Sequence, residues 1–462
     1  MTVAFDAEKA AMNIPRVCVA AGSSGSGKTS FTCGLLSALV RRNRVPAAFK
    51  CGPDYIDPMF HRFAAGSFSA NLDLFLFNEK TLRHLLCENA RGKDIAVLEG
   101  AMGFYDGLGG VTAQASAWDI ARATDTPVIL VEDSSSLSVS LAARIKGLTA
   151  FREPNGVRGV VLNRLNPKRY AGMKRLIESE TDAKVLGFLP NNADWNIESR
   201  HLGLITPDEL SGVQEKIARI SDALAETADL SAIEAIAESA PPIGFSPEPE
   251  RIPAEPVRIG VARDRAFCFY YEDSLNLLKK FGAEFTPFSP LTDTFPSGLA
   301  GLILGGGYPE LYARELSANT GMLQDIRDAV LSGMPCIAEC GGFMYLHREL
   351  ADKAGNRHSL AGVFPGSCRP ANRLVRFGYA SYTAGKDTLL CRAGESIPGH
   401  EFHYWESDAP GEDFTGVKPI SGETWRCINA RGNLFAGFPH FHFYSNQNTA
   451  LRFLEQCRLY RK

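Results

Sequence analysis

The chain has 462 residues, about three times the ~150-residue domain prior, so two or three domains are expected. Its 49 Lys and Arg against 52 Asp and Glu leave a net charge of −3, without the basic excess that a nucleic-acid surface normally needs. Apolar residues make up 45%, too many for a disordered chain, yet no run reaches the ~18 uninterrupted apolar residues of a membrane span.

Asp6, Glu8 and Lys9 precede any apolar run, so the start does not read as a signal peptide. The 11 cysteines lack CxxC or finger-like spacing, which points away from a disulfide framework or zinc ribbon. A soluble, cytoplasmic protein with neither nucleic-acid nor membrane partners is expected.

From residue 16 onward, short apolar runs alternate with helix-period segments. Val17–Ala21, Ala47–Lys50, Ile95–Glu99, Val128–Glu132 and Val157–Asn163 read as buried strands, and Thr29–Arg42 and Glu79–Ala90 as amphipathic helices. Strands separated by helices imply crossover units and a mostly parallel sheet. A polar, helix-like segment ends near Ser239. Pro241, Pro242, Pro247, Pro249, Pro253 and Pro256 then mark a stretch expected to be an extended linker. A second alternating series follows, with strands at Val257–Ala262, Leu299–Leu304 and Pro335–Ala338. The fold class is therefore α/β, with two doubly wound domains: residues 1–240 and 257–462, joined by 241–256.

Gly22-Ser23-Ser24-Gly25-Ser26-Gly27-Lys28-Thr29 matches G-x-x-x-x-G-K-[ST] between a strand and a helix. Backbone N–H groups of such a turn cradle phosphates, Lys28 reaches the outer phosphates, and the Thr29 hydroxyl ligates Mg²⁺. Two acidic stretches, Lys50–Pro58 with Asp54 and Asp57, and Leu98–Gly107 with Glu99 and Asp106, fall at strand ends that line the ligand crevice. Asp54 and Glu99 are the expected metal carboxylates, because a hard cation takes oxygen ligands. Val131-Glu132-Asp133 ends another strand, and either carboxylate could face the nucleotide.

In the second half, Met334–Met344 runs from a strand into a helix and breaks at Cys340. A sharp strand-to-helix turn exposes a nucleophile, and a helix N-terminus is expected to lower the thiol pKa. Gly341 and the run Gly305-Gly306-Gly307 can supply amides to an oxyanion hole. A base is required. His440, in Gly437-Phe-Pro-His440-Phe-His442, is the expected one, with His442 the alternative and His400 and His403 candidate pocket residues.

These residues resemble the cobyrinic acid a,c-diamide synthase family, ATP-dependent glutamine amidotransferases of cobalamin biosynthesis. The phosphate loop, KCGPDYIDP at 50–58, EGAMGFYDG at 99–107 and ESRHLGL at 198–204 carry the resemblance. So do GGGYPE at 305–310, ECGGFMYL at 339–346, GHEFHY at 399–404 and the histidine pair. The resemblance implies a dethiobiotin-synthetase-like ATP domain followed by a class I glutaminase-like domain. It implies that Cys340, activated by His440, releases ammonia from glutamine, while Ser23–Thr29, Asp54 and Glu99 hold ATP and Mg²⁺. A carboxylate of a corrinoid polycarboxylate would become an acyl phosphate and then an amide. Asp57, Asp106, Arg200 and His201 would serve that substrate or its acyl phosphate.

Class I glutaminases carry His-x-Glu, whereas this chain has His440-Phe-His442, so its sequence identifies no acid to orient the base. Hydrogenobyrinic acid and nickel-sirohydrochlorin are alternative substrates, since no residue reports the ring's metal. A phosphate-loop switch ATPase is a remote alternative that leaves Cys340 without a task, and a homodimer is an admissible assembly.

Overall fold

The computed structural model describes residues 10–195, 212–247, 255–371 and 373–461. The chain forms two compact units, residues 1–249 and 250–462.

In the first unit a parallel seven-stranded sheet runs in the order Ser69–Leu72, Pro46–Cys51, Ile95–Glu99, Arg16–Ala20, Val128–Asp133, Val157–Leu165 and Lys184–Pro190. These strands are apolar on both faces because helices cover both sides, which is why they read as continuous runs instead of alternating ones. Strand order reverses around Arg16–Ala20, so the phosphate loop leaves the sheet at the switch point where ligand crevices form. Glu79–Ala90 forms as a helix as expected, capped by the Asn78 side chain, which accepts from the Thr81 amide. The helix Lys28–Arg41 buries Phe31, Leu35 and Leu39 among Ile217, Ile220 and Leu224 of a later helix. Gly34 allows that approach: a side chain there would begin 2.5 Å from Ile220 Cγ2.

The proline-rich stretch is not wholly a linker. Ile243–Phe245 pairs antiparallel with Ala10–Met12. The buried Arg16 guanidinium donates to the carbonyls of Ile14, Thr124 and Pro241, at 2.8 Å to the last. Backbone pairing and an internal cation thus order residues that composition alone assigns to a solvated connector.

The second unit has a six-stranded sheet, ordered Ala283–Phe288, Val257–Ala262, Gly301–Leu304, Cys336–Glu339, Leu434–Gly437 and Asn429–Arg431. All neighbours are parallel except the last pair. Between its fourth strand and its edge hairpin the chain inserts residues 347–427, which form a mixed four-stranded sheet and four strands of an antiparallel five-stranded sheet whose fifth strand is His440–Phe441. These sheets go beyond the strands expected from the sequence, although Arg376–Ala384 and Ser396–His403 are 9 and 8 residues long and the second buries alternate residues. The insertion returns through Ser396–His403, which pairs with His440–Phe441 and sets His400 opposite His440.

Candidate active sites

In the first unit, Gly27 has φ 90°, and a side chain there would begin 2.1 Å from Asn163 Nδ2. Glycine is therefore required both for the turn and for the close approach. The loop is clamped from behind. Asn163 donates to the Ser26 carbonyl at 2.8 Å, and Arg164 donates to the Gly25 carbonyl and pairs with Asp133 at 2.6 Å. Glu132 accepts the Gly22 amide at 2.6 Å and pairs with Arg144, which also donates to Ser23 Oγ at 3.0 Å. Glu132 and Asp133 therefore shape the loop. Lys28 Nζ donates to the carbonyls of Ser23 and Met102 at 3.1 and 2.6 Å, which holds its ammonium over the loop. Burial, and then the charge of Lys50, push Lys28 down to about 8.

Beside the loop lies a buried ionic cluster. Thr29 Oγ1 donates to Glu99 at 2.7 Å and lies 3.4 Å from Asp57. Lys50 bridges Asp57 and Glu99 at 2.5 and 2.9 Å, and His61 Nε2 lies 2.6 Å from Glu99. Burial opposes ionisation of Glu99, but Lys50 and His61 overcome it and hold this carboxyl well below its usual range. Two carboxylates share one ammonium, so Asp57 is the harder to ionise: burial, with Glu99 and Asp54, pushes it to about 8.

Asp54 behaves differently from the metal carboxylate expected of it. Its Oδ1 accepts the Ile56 amide at 2.7 Å at the start of the helix Ile56–Ala65, and Asp57 is the carboxylate that reaches Thr29. Asp106 closes its own turn on the Gly103 amide at 2.9 Å. Arg200 and His201 lie outside the described residues. Lys50, His61 and Arg144 were missed as site residues; a lysine inside a continuously buried strand, Pro46–Cys51, was the available signal.

In the second unit, Cys340 sits at φ 47°, ψ −100°, a strained conformation for a residue with a side chain. It is pinned by its amide on the Gly437 carbonyl at 2.7 Å and by its carbonyl accepting from Met344. The expectation of a lowered thiol pKa is overturned. Burial, then Glu310, Glu401 and Glu339, push the thiol well above its ordinary range, against the opposing Gly341 amide. The following helix, Gly341–Tyr345, has five residues, too few for its dipole to offset that burial.

The glycine run divides its tasks. The Gly305 amide is spent on Tyr270 Oη at 3.0 Å and its carbonyl accepts from Gly342, which corrects its expected part in an oxyanion hole. The Gly307 amide nitrogen lies 3.0 Å from where a Gly341 side chain would begin, so these two amides stand together. A side chain at Gly306 would begin 2.6 Å from His440 Cε1, so this glycine admits the imidazole to the same corner.

The histidines separate clearly. His440 is 2% exposed, with Nδ1 3.4 Å from Glu339 Oε2. His442 Nδ1 accepts from the Tyr444 amide at 3.3 Å, and its ring packs against Tyr271. His403 has both ring nitrogens engaged, by Trp405 O and Glu401, and stacks on Phe438. Burial, then His440 and Lys418, push His400 down to about 3.

A phosphate-loop sheet and an amidotransferase-type thiol elbow in one chain define a nucleotide-dependent glutamine amidotransferase. Residues 17–205 match the CobQ/CobB/MinD/ParA nucleotide binding domain, and residues 258–448 the CobB/CobQ-like glutamine amidotransferase domain. The cobyrinate a,c-diamide synthase of Caldanaerobacter subterraneus subsp. tengcongensis is 37% identical over 96% of this chain and 98% of its own. Those of Thermoplasma acidophilum (38%, covering 95% and 99%) and Gloeobacter violaceus (39%, covering 96% of each) are similar over the same extent. The chain belongs to the cobyrinate a,c-diamide synthase family.

Proposed function

We propose that this protein converts the a and c acetate carboxylates of cobyrinic acid to amides, using ATP and glutamine. The observation that carries the reading is the pairing, in a chain of this family, of a clamped phosphate loop beside Thr29 and Glu99 with a strained cysteine beside the Gly307 and Gly341 amides. Carboxylate oxygen is a poor leaving group, so a phosphoryl group must first be placed on it, and that transfer needs fixed positive charge.

Amides of 23–29 and Lys28 bind the nucleotide phosphates. Thr29, Glu99 and Asp57 offer the hard oxygens that Mg²⁺ prefers. Among the described residues no cluster of three His, Cys, Asp or Glu side chains could hold a metal alone, which suits an ion completed by phosphates and water. Bound Mg²⁺ would offset charge on the transferring phosphoryl group. Lys50 keeps Glu99 and Asp57 turned toward Thr29. Asp106, Arg200 and His201 remain candidate contacts for the polycarboxylate.

In the second unit His440 takes the Cys340 proton as sulfur attacks the glutamine amide carbon. The Gly307 and Gly341 amides receive the developing oxyanion. His440 then returns the proton to the leaving nitrogen, ammonia departs, and water hydrolyses the thioester to glutamate. Ammonia displaces phosphate from the acyl phosphate and yields the amide. These substrates are small intracellular molecules, which supports a cytoplasmic location, and light scattering checks the proposed homodimer. Among the described residues no helix is long and apolar enough to cross a membrane.

Incubation with ATP, glutamine and cobyrinic acid, hydrogenobyrinic acid or nickel-sirohydrochlorin, followed by mass spectrometry, tests the reading. The diamide of cobyrinic acid with matching ADP release is expected; no ADP with any of the three would overturn it.

A further inference from the structure

We propose that Glu339, the residue immediately before the nucleophile, is the positioning acid for His440, in place of the acid that follows the histidine by two residues in class I glutaminases. The inference rests on the reading of Cys340 and His440 given above. In this chain the usual acid position is His442, whose ring is turned to Tyr271 and whose Nδ1 is engaged by the Tyr444 amide. The orienting carboxylate must then come from another segment.

The sheet supplies one. Cys336–Glu339 and Leu434–Gly437 are parallel neighbours with Glu339 opposite Gly437, and His440 follows three residues later. Both side chains therefore emerge at the same carboxyl edge. Glu339 Oε2 lies 3.4 Å from His440 Nδ1, while its Oε1 accepts the Phe441 amide at 3.3 Å. One carboxylate thus bonds the backbone of the residue after the histidine and faces its ring nitrogen. Glu401, another carboxylate acting on Cys340, is committed to Tyr382 Oη at 2.8 Å and His403 at 3.0 Å.

The chemical consequence follows from the side of the ring that Glu339 faces. A carboxylate at Nδ1 keeps the proton on Nδ1 and leaves the Nε2 lone pair free to take the thiol proton. Once that proton has moved, the carboxylate offsets the imidazolium charge, which matters most where burial and neighbouring acids disfavour a bare thiolate. A spacing of 3.4 Å is long for a hydrogen bond, and such contacts shorten when substrate closes the site.

Glutamine hydrolysis and ammonium-driven synthesis by the full-length protein test the assignment. E339Q still offers an oxygen to the Phe441 amide. It should lower kcat for glutamine hydrolysis about 100-fold with KM little changed, while synthesis from ammonium continues at the wild-type rate. E339D should recover part of the lost rate. Wild-type kcat in E339Q overturns the proposal, as does an equal fall in E339D and E339Q. Loss of ammonium-driven synthesis in both variants also overturns it, by making Glu339 structural. Cys340→Ala run alongside separates the readings: glutamine-dependent activity surviving that change would defeat the glutaminase assignment itself.

Discussion

The two units solve opposite electrostatic problems. The first buries formal charge permanently: Lys50 and Glu99 are locked together beside Lys28 and Thr29. The second buries groups that are neutral at rest, a protonated thiol and histidines kept uncharged by burial, and must create charge during turnover. Phosphoryl transfer needs a field already in place, because charge is on the phosphates from the start. Amide attack needs a proton relay, because a thiolate standing ready among three carboxylates would be expensive to maintain.

The largest expected effect separates the units completely. Lys28→Ala should abolish synthesis from both glutamine and ammonium, whereas Cys340→Ala should abolish only the glutamine-dependent reaction. Product assays with each nitrogen source read the difference. Equal loss of both reactions in Cys340→Ala would break the comparison.

A smaller effect probes the permanent charge of the first unit. Glu99→Ala leaves Lys50 and His61 buried without their shared carboxylate, so stability should fall by about 3–5 kcal/mol. A denaturant titration following the first unit measures it. An unchanged midpoint would mean that the cluster is not held as an ionic network.

The smallest effect concerns acid. Burial pushes His442 from 6.5 to about 3. Between those values the unfolded chain binds a proton that the folded chain refuses, so stability is full above pH 6.5 and falls as pH drops below it. His442→Gln should flatten the acid slope of the second unit's unfolding midpoint. An identical slope in the variant would remove His442 as its source.

Much of the first site was legible because its parts are contiguous. The loop from Gly22 to Thr29 and its flanking strand and helix lie in one stretch, and backbone geometry does most of the binding. Glu99 was legible for a related reason, as the last residue of an apolar run. Asp54 and Asp57 show where this stops: both sit in one acidic turn, and only the path of the helix Ile56–Ala65 decides which one caps and which one faces Thr29. Lys50 looked like the end of a strand until its neighbours on either side proved to be carboxylates.

The sequence by itself determined the α/β alternation, the phosphate loop and the break at Cys340, because apolar period and glycine placement act over a few residues. Only the tertiary structure decided that Gly305 is spent on Tyr270, that the cysteine is held protonated, and that Glu339 stands beside His440. Those outcomes depend on burial and on charges brought together from about a hundred residues away, and no local pattern encodes desolvation.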